Sequence, residues 1–232
     1  MTTGDILGLI FSYVFAFGML LIVEAIRRWR NYPTEFTRKL VHIGAGMWIW
    51  VILLLFDHWQ FALIPTASFI IFNAIFLRYH VFSAMDPKEG ATPGTIYFAF
   101  SCTLLLFIFH TGWEQGFPRG LEEYALAGIM AMTWGDAFAS IIGKRFGKHS
   151  YTVPGSKGHK RTLEGSLACF VFTFVAVAIT LAIVSSLSLP LILLGGLMAA
   201  IVGTLFEAIS PYGTDNLTVP IVVSIVLFWF GL

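Results

Sequence analysis

The sequence predicts an all-α, polytopic membrane bundle of about eight helices, with both termini on the outer side. Three observations predict it. Of the 232 residues, 57% are hydrophobic and only 12% are charged, about half the roughly 25% usual in a soluble domain. The apolar residues gather into runs near the ~20 residues that a helix needs to cross a ~30 Å hydrocarbon core. Of the fourteen Lys and Arg, all fall between those runs except Arg78, at the edge of one. A soluble enzyme and a disordered chain both fail the first observation. Nucleic acid is not expected as a partner, because a net charge of +1 with clustered cations builds no broad basic surface.

The expected spans are 5–26, 40–56, 59–78, 95–110, 121–142, 164–186, 189–208 and 216–232. The first lacks a positive leading segment and a small-residue cleavage site, so it reads as a span rather than a signal peptide. Asp57-His58 separates the second and third, and Leu187-Ser188 separates the sixth and seventh. The fourth follows a turn-rich stretch, Asp86 to Thr95, and it and the eighth are short. With the N-terminus outside, the inner loops are 27–39, 79–94, 143–163 and 209–215. Counting Arg78 at its span's edge, every Lys and Arg except Arg119 then lies inside, as the positive-inside rule requires. Dropping one span would scatter the cations. Cys102 and Cys169 fall in apolar runs and read as core residues. The chain reads as a single domain, 1–232, in a prokaryotic cytoplasmic membrane, with its chemistry at the inner face.

The densest chemistry lies at 134–166. Gly135, Ala139 and Gly143 recur every four residues, a stripe that lets another span or another subunit approach closely. Homodimerisation is therefore open. Asp136, Ser140 and Lys144 share the adjacent helix face. A carboxylate inside a span is costly, and it marks a site or pairs with a cation, here Lys144. Next come Lys144, Arg145, Lys148, Lys157, Lys160 and Arg161, interleaved with Gly143, Gly147, Gly155 and Gly158. Such a loop can cradle phosphates, bind anionic headgroups or enforce topology. Asp136 and Glu164 bracket it, and Thr162 begins the next span, which favours a metal-bound polyphosphate.

Two further groups stand at the inner face. Glu207 ends the seventh span, and Asp215-Asn216 begins the eighth as a helix cap or as part of a magnesium site with Asp136. Arg38, Lys39 and His42 begin the second span, with Arg38 and His42 on one face to contact phosphate or to mark the membrane boundary. Glu24 and His110, near span ends, read as structural. The Asp86–Thr95 loop has no role beyond contact with substrate or nucleotide. There is no Walker A loop, because Gly143 to Gly147-Lys148 is too short and no Ser or Thr follows. Protein-kinase, nucleophile-elbow and Cys/His metal spacings are also missing.

Taken together, these segments resemble the polyprenol kinase family. The resemblance rests on Gly135-Asp-Ala-Phe-Ala-Ser140 through Gly147-Lys148, Lys160-Arg-Thr-Leu-Glu-Gly-Ser166, Arg38-Lys39 with His42, and Glu207 with Asp215-Asn216-Leu-Thr-Val-Pro220. That family includes phytol kinase, dolichol kinase and CTP-dependent diacylglycerol kinase, and it is distantly related to phosphatidate cytidylyltransferases. Gly158-His159 lengthens the basic loop relative to the family form. The resemblance implies transfer of the γ-phosphoryl of CTP to a membrane-embedded isoprenoid alcohol, with Mg2+ as cofactor. Carried over, Asp136, Glu164 and Asp215 are the catalytic acids, joined by Glu207 and Asn216 around the metal. Lys144, Gly147, Lys148, Lys157, Lys160, Arg161 and Thr162, with Arg38, Lys39 and His42, bind nucleotide and phosphate. The rival readings are a cytidylyltransferase of a lipid phosphate, an ion-coupled transporter and a structural lipid-binding protein. The transporter reading lacks inverted repeats and broken helices.

Overall fold

A computed structural model describes residues 1–85, 92–118, 120–156 and 158–232. Lys157, Arg119 and residues 86–91, which include Asp86 and Lys88, lie outside the described residues. The helices are α1 (Thr3–Arg30), α2 (Thr34–Leu55), α3 (Trp59–Tyr79), α4 (Gly94–Ile108), α5 (Glu122–Phe146), α6 (Leu163–Val184), α7 (Leu189–Ile209) and α8 (Asp215–Phe230). Each coincides with an expected span. Six are long and apolar enough to cross a membrane, and the chain is an integral membrane protein of all-α class. The exceptions are α4 and α8, at 15 and 16 residues. At 1.5 Å per residue they cover only ~23 Å of a ~30 Å core.

Helix ends follow their local chemistry. Thr2 caps α1 reciprocally with Asp5, its hydroxyl accepting from the Asp5 amide and the Asp5 carboxylate accepting from the Thr2 amide. The helix continues past the expected residue 26 through Arg27, Arg28 and Arg30, good helix formers that complement the dipole at its end. Asn31, left-handed at φ 52°, stops it, and Pro33 precedes α2. Between α5 and α6 the basic loop folds into a hairpin absent from the sequence expectation. Its strands, β1 (Ser150–Thr152) and β2 (Lys160–Thr162), pair antiparallel with Tyr151 opposite Arg161. Val153 is buried beneath it, and Tyr151 bonds Ser166 on α6 at 2.7 Å. Three-residue strands in a loop of this length leave too little alternation to read from sequence.

At the centre lies α5, buried along most of its length. Its glycines allow close neighbours: a Cβ at Gly128 would collide with Ser224 of α8, and one at Gly135 with Thr173 of α6. A Cβ at Gly165 of α6 would lie 2.8 Å from the Ala139 carbonyl. The Gly135–Ala139–Gly143 stripe is thus occupied by α6 of the same chain. The other packing pairs close a ring, α1–α2–α5–α8–α4–α3 and back to α1, with α6 and α7 against its α5–α8 side. An apolar chamber lies inside this ring.

The described parts of the four expected inner loops converge at one end of the bundle. There the N-termini of α4 and α8 meet, with Gly94 so close to Gly213 that a Cβ at Gly213 would stand 2.8 Å from the Gly94 Cα. Both chain termini lie at the opposite end, where Thr2 and Asp5 bond Asp57 and His58.

Candidate functional site

Asp136 is 5% exposed on α5, facing α2. The alternative to a functional site was a pairing of Asp136 with Lys144, two helical turns along the same helix. Its partner in the structure is Lys39, with Nζ 2.6 Å from Oδ2. The same carboxylate oxygen lies 3.6 Å from His42 Nε2, which also stands 3.3 Å from the Met132 carbonyl. Lys39 and His42 reach Asp136 because α2 packs on α5 in the ring. Lys144 instead pairs with Glu35, an exposed ion pair joining the end of α5 to the start of α2.

The second focus is Arg161. Strand β2 directs its guanidinium between α7 and α8, where it pairs with Glu207 and, at 2.8 Å, with Asp215. A further bond at 2.9 Å goes to the Ser210 carbonyl. Two acids and a carbonyl use only part of its five-donor fork, and groups around it also retain bonding capacity. Glu207 Oε2, Asn216 Oδ1 and Arg161 Nε are buried without a hydrogen-bond partner. Such atoms are costly unless a ligand completes them.

Both foci line one cleft of about 330 Å³ at the loop end of the bundle. Lys39, Lys144, Lys160, Arg161 and Arg38 supply its cations. Arg38 turns inward, donating to Thr92 Oγ1 at 3.2 Å. The N-termini of α4 and α8, at Gly94 and Asp215, stand at this end and bring positive dipole ends beside the cleft. Burial, and then the Arg161 guanidinium, hold the His159 imidazole below its usual pKa. His159 lines the cleft, its ring 5.9 Å from that of Tyr212.

The cleft adjoins the apolar chamber. Arg38, Lys39, Asp136 and Asn216 line both. Beyond them the chamber wall is Met19, Phe15, Trp48, Phe69 and Phe98. An apolar tail in the chamber would therefore place its polar end at Asp136, beside a cationic cleft.

The expected site residues divide between this cleft and the outside. Asp136, Lys39, Arg38, Lys144, Lys160, Arg161, Thr162, Glu207, Asp215 and Asn216 all line the cleft, and His42 lines the chamber beneath it. Glu164 does not: it faces His149, 2.7 Å from Nδ1, and accepts from the His149 amide at 3.3 Å. Lys148 is exposed outside the cleft, and Gly147 caps α5, donating to the Gly143 carbonyl at 3.0 Å. Thr162 caps α6 through the Gly165 amide at 3.1 Å. Glu24 proves structural, holding the Ala84 amide at 2.8 Å. Among the described residues, no three of His, Cys, Asp and Glu group closely enough to hold a metal unaided. Sequence reasoning gave the loop that holds Thr92 and Gly94 only a general contact role and did not identify Glu35 as a wall residue. The Thr-Pro-Gly turn marked the place, but only tertiary packing brings it to Arg38.

Comparison with known proteins places this geometry in context. Residues 3–213 match the cytidylyltransferase family. The phytol kinase of Synechocystis sp. is 30% identical over 225 residues, covering 97% of this chain and 90% of that relative. A probable chloroplastic phytol kinase of Triticum aestivum is 25% identical over 232 residues, covering 92% and 73%. Another from Glycine max is 25% identical over 221 residues, covering 92% and 71%. No solved structure matches the chain.

Proposed function

The chain belongs to the cytidylyltransferase family, within its phytol and polyprenol kinase branch, and on that premise we propose that it phosphorylates a membrane-embedded isoprenoid alcohol, using CTP. The observation that carries this reading is the junction at Asp136, where an apolar chamber inside the helix ring meets a cation-lined cleft. The tail lies in the chamber and the hydroxyl stands at Asp136. The nucleotide's phosphates enter the cleft from the cytoplasmic side, which the distribution of Lys and Arg assigns to this end.

Transfer then follows from placement and charge. Lys39, Arg38, Lys144, Lys160 and Arg161 neutralise the phosphates, aided by the helix N-termini of α4 and α8. Lys39, drawn toward phosphate, releases Asp136 to accept the hydroxyl proton. The hydroxyl oxygen attacks the γ-phosphorus and the nucleoside diphosphate leaves. Magnesium is commonly held by one or two carboxylates together with substrate phosphates. Glu207, Asp215 and Asn216 fit that donor set, with Glu207 Oε2 and Asn216 Oδ1 lacking partners. When bound there, it would supply charge neutralisation on the phosphate oxygens. Glu164 lies in the first turn of α6 and holds the start of the hairpin through His149.

Nucleotidyl transfer to a lipid phosphate uses the same cleft, but relatives matched along most of their length carry kinase names. A transporter would need a path through the bundle, whereas the chamber ends where Phe56 packs over Gly8. The location proposed is a prokaryotic cytoplasmic membrane. Purified protein in detergent, given phytol and polyprenols with each nucleoside triphosphate and Mg2+, tests the reading. Lipid monophosphate formed with CTP supports it; no lipid phosphate from any pairing overturns it.

A further inference from the structure

The chamber inside the ring has a depth, and depth distinguishes alcohols that share one head group. Its wall runs along α2 from His42, beside Asp136, through Ala45, Trp48 and Ile49 to Ile52. From His42 to Ile52 the helix rises ~15 Å at 1.5 Å per residue. An extended chain of single bonds advances about 1.2 Å per bond, as an extended backbone does, so this depth takes roughly a dozen backbone carbons.

The far end is closed. Phe56 is buried, and its ring occupies the space over Gly8, where a Cβ would stand 2.7 Å away. Leu105 and Leu106 of α4, both buried, follow Cys102, the last residue of that helix on the chamber wall. Trp48 is the largest side chain near this end, and it is held from two directions. Its indole stacks on Phe15 with ring centroids 4.0 Å apart and planes 8° from parallel. Its Nε1 donates to Ser12 Oγ at 3.1 Å. Nearer the head group, the wall is the small Ala45. A tail longer than the chamber must therefore displace a pinned indole or leave the ring sideways between helices.

We propose that Trp48, fixed by Phe15 and Ser12, together with Ile52, is a chain-length ruler that admits short prenyl alcohols and rejects long polyprenols. This rests on the lipid-alcohol kinase reading and adds the acceptor class to it. Removing the indole widens the chamber toward α1 and gives a long tail room to turn, whereas a large residue at Ala45 shortens it, so the two changes must act in opposite directions.

The test compares geraniol, farnesol, phytol and solanesol as acceptors for wild type, Trp48→Ala and Ala45→Phe. The wild type should lose at least about tenfold in kcat/KM from farnesol, whose main chain fits this depth, to solanesol, with phytol between them, within the range that acceptor fit commonly sets. Trp48→Ala should close most of that gap, chiefly through KM. Ala45→Phe should impair phytol and farnesol while sparing geraniol. Should Trp48→Ala not yield monodisperse protein, Trp48→Leu and Ala45→Phe carry the same comparison. Variants that change all four alcohols by one common factor overturn the ruler. Displacement of tritiated farnesol by each alcohol, read without nucleotide, separates the two claims. Length-ranked binding without turnover overturns the kinase reading and keeps the ruler, whereas turnover without length ranking overturns the ruler alone.

Discussion

Asp5 and Asp136 are both buried in this bundle, one toward each end, and they are held in different ways. Asp5, 0% exposed, accepts from the Thr2, Asp57 and His58 amides at 2.8, 3.2 and 3.1 Å, and meets His58 Nδ1 at 2.8 Å. Its partners are mostly backbone groups that cannot leave. Asp136, 5% exposed, is held by the flexible Lys39 and, more loosely, by His42, on a wall shared by two cavities. A buried acid tied by amides closes a helix–helix corner. A buried acid tied by a lysine at a cavity wall can exchange that lysine for a substrate.

The largest effect should come from Asp136→Asn, which keeps the shape and removes the proton acceptor. Phosphoryl transfer should fall by roughly 10²–10⁴-fold while the detergent-solubilised protein keeps its melting temperature; full activity in this variant would sink the assignment. Arg161→Lys should follow, since a lysine cannot satisfy Glu207, Asp215 and the Ser210 carbonyl together. We expect about a 10²-fold loss in kcat/KM with CTP, and an unchanged value would remove Arg161 from phosphate binding. Asp5→Ala should reverse the pattern, lowering unfolding stability by about 2 kcal/mol with turnover per folded molecule unchanged. Loss of turnover at unaltered stability would erase the contrast between the two ends. Glu164→Gln should do least, changing kcat by no more than about threefold, because its contacts are the exposed His149 and the first turn of α6. A loss as large as that of Asp136→Asn would bring Glu164 into the reacting centre.

The spans were legible because hydropathy and the placement of cations depend on composition along the chain, and all eight helices lie where those patterns put them. The cleft was legible as a set of residues but not as a set of pairs. Asp136 and Glu164 flank the basic loop in sequence, which suggested a shared metal. The hairpin turns that loop back instead, leaving Glu164 on His149 and carrying Arg161 to Glu207 and Asp215. Lys39 as partner of Asp136 depends on how α2 crosses α5, which no local spacing encodes. The glycine stripe announced a close neighbour without naming it, and α6 of the same chain fills that place. The chamber was least legible, because it exists only once six helices close into a ring. Residues such as Trp48 then look like ordinary aromatic residues of a span.

The central claim is that the apolar chamber delivers a hydroxyl to Asp136 and that the cleft transfers only the terminal phosphoryl group. Incubating the purified protein and phytol with CTP labelled at either the γ- or the α-phosphorus tests this most directly. The account predicts lipid-soluble label from γ-labelled CTP alone, with CDP as the second product. Lipid-soluble label from α-labelled CTP, with pyrophosphate released, would contradict it.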